Sequence, residues 1–186
     1  MKDLVLKIKE NELFKRIIYK ITHPKQWNKK IVAVWAAFIV LILILRFAFG
    51  VRICFISGNS MYPTYKNHSV CLSFGLGYEA KQGDCVCIKN SGKLICKRVI
   101  ATEGQKVYVD YKNNKVFVDG EEIDSSYINE PMKYMDGYFD TPNPVSVPKG
   151  CIFVMGDNRN YSTDSRSSLV GMVEYKDVVG KIHPAR

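Results

Sequence analysis

The stretch Ile31–Leu45, IVAVWAAFIVLILIL, carries no charged, hydroxyl or amide side chain, and the apolar run continues to Phe49 with Arg46 as its only charge. A run of this length, helical at about 1.5 Å per residue, spans the roughly 30 Å hydrocarbon core of a bilayer. Arg46 lies near its far end, where a long side chain can snorkel to the interface. Residues 1–30 hold nine Lys or Arg against Asp3, Glu10 and Glu12, so they account for +6 of the chain's +9 formal charge. A basic flank on one side of a span predicts that this side stays in the cytoplasm. The sequence therefore predicts a cytoplasmic tail over 1–30, a transmembrane anchor over 31–49 and an extracytoplasmic domain over 50–186. A cleavable secretory signal is the competing reading, since AFG offers small residues. A basic region of 30 residues is long for one, and cleavage there would remove the anchor. Leu6, Leu13, Phe14, Ile17, Ile18 and Ile21 fall at helical spacing among lysines, which fits either an amphipathic helix on the inner membrane surface or a solvated basic tail.

With the basic surplus confined to the tail, the other 156 residues carry only +3, which argues against a nucleic-acid partner. Beyond the span, helical periodicity gives way to short β-branched runs between turn residues. Strands are predicted at Val51–Ile56, Ser69–Phe74, Asp84–Lys89, Lys93–Thr102, Lys106–Tyr111, Lys115–Val118, Cys151–Met155 and Val178–Ile182. YKNNKVFV reads as a hairpin turning at Asn113-Asn114, and VDG closes the next turn. Residues 121–150, with Pro131, Pro142, Pro144 and Pro148, read as a loop-rich excursion. The expected fold class is mainly β, an antiparallel sheet domain preceded by one transmembrane helix. The six cysteines sit in apolar strand contexts and read as buried thiols, with disulfides as the alternative on the exported side. A Cys85-x-Cys87 pair and three scattered His make no zinc pattern, and no metal or other cofactor is implied.

Three stretches depart from ordinary strand or turn composition. Ser60, in SGNSMYPT, sits on a turn set by Gly58 and Pro63; such a serine can present its hydroxyl, although serine in a Gly/Pro turn is common. In LICKRVIATEG, adjacent Lys97 and Arg98 interrupt an apolar strand, so one of them can point inward. A buried lysine loses charge stabilisation, at about 1.4 kcal/mol per pKa unit, and becomes able to accept a proton. Arg98 cannot do so, because guanidinium stays protonated in proteins. MGDNRNYSTDSRSS gathers Asp157, Asn158, Ser162, Asp164 and Arg166 between two apolar segments, a composition suited to a hydrogen-bonded shell around another group.

Taken together, SGNSMYPT, GDCVCIK, KRVIATEG and GDNRNYSTDSR resemble, in order and character, the sequence boxes of the type I signal peptidases. These are membrane-anchored serine proteases that use a Ser–Lys dyad and remove signal peptides from exported proteins. The short chain and single anchor look like the Gram-positive form. The resemblance implies Ser60 as nucleophile and Lys97 as general base, with Ser162 orienting the Lys97 amine by a hydrogen bond. It further implies an Asp164–Arg166 ion pair, with Asp157 and Asn158 supporting the same loop. Some relatives carry an oxyanion-hole serine where this chain has Gly58, so the oxyanion is expected to rest on backbone N–H groups, chiefly that of Ser60. Phe55, Ile56 and Cys96 are expected to line shallow pockets for the small residues of an A-x-A-like cleavage site, and Met61 and Tyr62 to lie on an apolar surface near the bilayer. The implied partners are signal peptides of exported preproteins and the lipid bilayer, with a monomeric enzyme in the cell membrane. Two rivals remain. A self-cleaving Ser–Lys repressor would need a DNA-binding or partner segment where this chain has a span. A catalytically dead anchored β module would have no need of Ser60, Lys97, Ser162 and Asp164.

Overall fold

The computed structural model describes residues 15, 16, 19, 28–48, 50–128, 130–135 and 138–184. The residues on which an amphipathic tail helix was expected lie outside that set. The chain divides into two compact units, Met1–Ile44 and Leu45–Arg186.

Helix α1 covers Lys29–Ala48, close to the predicted span. Asn28 starts it: its side-chain oxygen accepts from the Lys30 N–H at 3.0 Å, satisfying a first-turn donor that has no intrahelical partner. None of the helix's residues is buried, so apolar side chains face outward all round. By length and composition the helix is able to cross a membrane.

The second unit is built from antiparallel strands. In chain order they are β1 (Val51–Phe55), β2 (Val70–Phe74), β3 (Cys85–Asn90), β4 (Lys93–Thr102), β5 (Lys106–Asp110), β6 (Lys115–Val118), β7 (Glu121–Glu122), β8 (Val145–Ser146), β9 (Cys151–Met155), β10 (Val173–Glu174) and β11 (Val178–Pro184). Seven strands form one sheet in the order β1-β2-β11-β3-β4-β9-β10, and four form a second, β7-β6-β5-β8. All eight predicted strands are present, with ends shifted by two residues at most. The three two-residue strands β7, β8 and β10 escaped the sequence reading because two residues cannot display an alternation.

Turn chemistry sets the hairpins. Ser91-Gly92 joins β3 to β4 and Asp119-Gly120 joins β6 to β7, each with both φ angles positive, the conformation whose twist matches that of paired strands. Asn114 takes φ 58° in the β5–β6 turn, as the sequence suggested. Segment 121–150 is less of an excursion than expected. It supplies β7 and β8 to the small sheet, and its Met132 and Phe139 are buried. Met132 packs with Ile100, Val107, Val116, Phe153 and Met155 between the two sheets' strands. A second cluster, Cys54, Ile56, Met61, Tyr65, Cys71, Cys85, Cys87, Val179 and Ile182, lies under the Ser60 turn. All six cysteines are thiols.

Candidate active site

Strand β1 ends at Phe55 and the chain turns through residues 57–65 before reaching β2. The turn is held locally by the Gly58 N–H on Asn67 Oδ1 (2.9 Å), Tyr62 N–H on the Asn59 carbonyl (3.1 Å) and Tyr65 N–H on the Met61 carbonyl (2.8 Å). Met61 anchors it from below, wholly buried. This corrects the expectation that Met61 faces the bilayer: one residue past Ser60 the turn points its side chain into the cysteine-rich core, leaving Tyr62 exposed. Gly58 has φ +94°, a region an L side chain enters only under strain, although open space surrounds it. A serine there would carry a backbone cost in this chain.

Lys97 comes from the middle of β4, only 4% exposed. Its Nζ donates to Ser60 Oγ at 2.9 Å and to the carbonyl of Cys96 at 3.1 Å. Burial pushes the amine's pKa below that of an ordinary lysine; Asp164 and Asp157 pull the other way and do not overcome it.

The third stretch follows β9. Arg98 of β4 pairs in register with Met155 at the end of β9, so the loop that begins at Gly156 starts beside the lysine strand. The Asn158 N–H donates to the Ser60 carbonyl at 3.0 Å, fixing the serine's own peptide. Asp157 accepts from Arg98 Nε (2.7 Å) and Nη2 (2.6 Å), and from Thr64 Oγ1 (2.5 Å) of the serine turn. One buried carboxylate thus ties together all three stretches. The two-pronged Arg98 contact supplies planar geometry that a lysine cannot match. Arg98 was set aside in the sequence only as a base; adjacency to Lys97 was the one signal of its positioning role. Its guanidinium also lies 3.9 Å from the Tyr127 ring centre and bonds the Gly83 carbonyl at 2.7 Å.

Asp164 and Arg166 form the expected ion pair, Nε to Oδ1 at 2.8 Å and Nη2 to Oδ2 at 2.9 Å, both residues buried. Burial opposes ionisation of Asp164, but the Arg166 guanidinium and the Gly156 N–H, 3.0 Å from Oδ2, outweigh it and hold the carboxyl below its usual range. Arg166 also bonds the Arg159 carbonyl at 2.6 Å and lies 4.1 Å from the Phe139 ring centre. Segment 121–150 therefore buttresses the loop from outside.

One expectation needs correction. Ser162 is buried, yet among the described residues its hydroxyl is not a partner of Lys97; it lies beside the Asp164 carboxylate and helps to hold that group ionised. It rests on Gly156, where a Cβ would come within 2.2 Å of Ser162 Oγ and 2.5 Å of the Ser60 carbonyl oxygen. Lys97 is held by Ser60 and the Cys96 carbonyl instead. Among Phe55, Ile56 and Cys96, the structure packs the last two in one cluster, whereas Phe55 is 74% exposed. Strand alternation sends Phe55 and Ile56 to opposite faces.

Comparison with known proteins addresses what such an arrangement serves. Residues 27–184 match the family model described as signal peptidase, peptidase S26. Signal peptidase I S of Bacillus subtilis is 34% identical over 163 residues, covering 83% of this chain and 84% of that protein. Signal peptidase IB of Staphylococcus aureus is 33% identical over 174 residues, covering 85% of this chain and 88% of its own. A crystal structure of a signal peptidase I from Enterococcus faecalis aligns with a TM-score of 0.47 at 24% identity, over 57% of this chain and 98% of that one. The chain belongs to the signal peptidase family, peptidase S26, whose members are serine endopeptidases that cleave signal peptides.

Proposed function

We propose that Ser60 is the nucleophile and Lys97 the general base of this peptidase, and that it cleaves signal peptides after an A-x-A-like site just outside the membrane. The observation that carries the reading is the 2.9 Å contact between Lys97 Nζ and Ser60 Oγ at a lysine almost wholly removed from water. In its neutral form Lys97 reverses that hydrogen bond and accepts the Ser60 proton. Ser60 Oγ then attacks the scissile carbonyl, and the lysine returns the proton to the leaving amine. Water repeats the cycle to release the acyl group. The developing oxyanion rests on backbone N–H groups, chiefly that of Ser60. Asp157, through Arg98 and Thr64, and Asn158, through the Ser60 carbonyl, hold nucleophile and base in one geometry. Ile56 and Cys96 line the pockets for small substrate side chains, and Phe55 meets the substrate from the exposed face. Helix α1 anchors the enzyme as a single-pass monomer in the cell membrane, with residues 1–30 in the cytoplasm and 50–186 outside.

The test is cleavage of a preprotein bearing an A-x-A site by the purified enzyme beside Ser60→Ala and Lys97→Ala. Each variant is expected to lose about three orders of magnitude or more in turnover, as removal of a nucleophile or its base does elsewhere. Wild-type turnover in either would sink the assignment.

A further inference from the structure

Five of the six cysteines, Cys54, Cys71, Cys85, Cys87 and Cys96, gather in or against one core cluster beneath the Ser60 turn. The proposed chemistry uses none of their sulfurs. Two cross-strand pairs lie within the cluster: Cys54 opposite Cys71 on β1–β2, and Cys87 opposite Cys96 on β3–β4. Directly opposed residues on antiparallel strands have Cα atoms about 4.5–5.5 Å apart, inside the span a disulfide can bridge. The pairs differ in access. Cys54, Cys71 and Cys87 are buried, whereas Cys96 is partly exposed. The Cys87 thiol lies within hydrogen-bonding reach of both Cys54 and Cys96. With one S–H to donate, Cys87 keeps its proton, and burial adds to that preference. That thiol draws down the pKa of both neighbours, Cys54 to about 7 and Cys96 with help from the Lys97 charge and against burial; of the two, only Cys96 is partly exposed. Cys96 thus combines exposure, thiolate character and a buried neighbour able to resolve an adduct, the features that mark reactive thiols.

We propose that Cys96 is a thiol-modification site that exchanges with low-molecular-weight disulfides and is resolved by Cys87 into a Cys87–Cys96 cross-strand bridge. In the first step the Cys96 thiolate attacks one sulfur of the small disulfide, and one small thiolate leaves. The Cys87 thiol then gives up its proton, attacks the Cys96 sulfur and expels the second small thiolate. Two protein thiols are oxidised to one disulfide and one small disulfide is reduced to two thiols. The bridge bears on the site because the Cys96 carbonyl is one of the two groups that hold the Lys97 amine. Tying Cys96 to β3 changes the setting of the peptide beside the base, and small misplacements of reacting groups can cost about a hundredfold in rate. This effect on turnover rests on the reading of Lys97 as base; bridge formation does not.

The experiment exposes the full chain, in detergent micelles, to glutathione disulfide and maps cysteine pairs in non-reduced peptides while following preprotein cleavage. A Cys87–Cys96 bridge is expected, with turnover falling about ten- to a hundredfold in step with it and returning with dithiothreitol. Cys87→Ala and Cys87→Ser should stop at a glutathione adduct on Cys96; two variants guard against one folding poorly, and the wild-type map needs neither. A bridge between any other pair, or unmodified Cys96 in the folded enzyme, overturns the site. A bridged enzyme with unchanged turnover overturns its coupling to the base. If Lys97→Ala proved active while the bridge mapped as expected, the dyad reading would fail and the modification site would stand.

Discussion

Lys97 joins two properties that ordinarily exclude one another, a side chain that carries charge in water and a position almost wholly out of water. Because burial lowers its pKa, two observables follow with the same sign. Turnover should rise with pH as Lys97 loses its proton, with an apparent pKa below the ordinary lysine value of about 10.4; a profile flat from about pH 6 to 10 would exclude it as the base. Stability should follow. Below the folded-state pKa, the folded protein bears the full cost of a buried ammonium. Between that value and about 10.4 the unfolded chain binds more protons, so unfolding free energy rises with pH, and above it the cost is gone. Buried Cys85, Cys87, Tyr65 and Tyr78 titrate with the opposite sign in both proteins, so in denaturant melts the unfolding free energy of wild type minus that of Lys97→Met should rise over this range. Arg98, its neighbour, shows how different a cation can be: it stays charged and grips Asp157 at two points beside Lys97 without exchanging a proton.

Between the residue and the fold, the turn, strand and loop that meet at the site depend on one close approach. Gly156 begins the loop after β9, where an added Cβ would meet both the Ser162 side chain and the Ser60 carbonyl. A methyl group there would need to occupy space already held by those two residues. Gly156→Ala should therefore cut turnover about a hundredfold and destabilise the protein by about 1–3 kcal/mol. Preprotein cleavage and a thermal melt would measure the two effects; near-wild-type values for both would mean the loop can retreat without moving Ser60. The resemblance had implied that Ser162 aims the lysine. At this scale the structure differs, since the two elements meet through the Asn158 N–H on the Ser60 carbonyl, and a backbone contact leaves no mark in side-chain composition.

Across the whole molecule, charge is divided as sharply as hydropathy. Most of the basic surplus lies in residues 1–30, ahead of the apolar run that begins at Ile31, and the β unit follows that run. If the tail is cytoplasmic, a protease added to intact cells stripped of their wall should reach the region after residue 50 and spare residues 1–30; the reverse pattern would invert the proposed topology. Much of this organisation was legible in sequence. A 20-residue apolar helix and strands of four to ten residues announce themselves through hydropathy and period, which are local properties, as do turns at Asn114 and Asp119-Gly120. The residue types able to act as nucleophile and base, and the ion pair between Asp164 and Arg166, were likewise readable from short motifs and their resemblance. Other features needed the folded chain, because they depend on contacts between residues far apart in sequence. Lys97 meets Ser60 across 37 positions, and Asp157 meets Arg98 across 59. Met61 turns inward rather than toward a membrane, and five scattered thiols converge beneath the serine turn. Local chemistry determined the anchor, the strands and the groups available for reaction; three-dimensional packing alone decided which of those groups touch and which are withdrawn from water, and hence which proton can move.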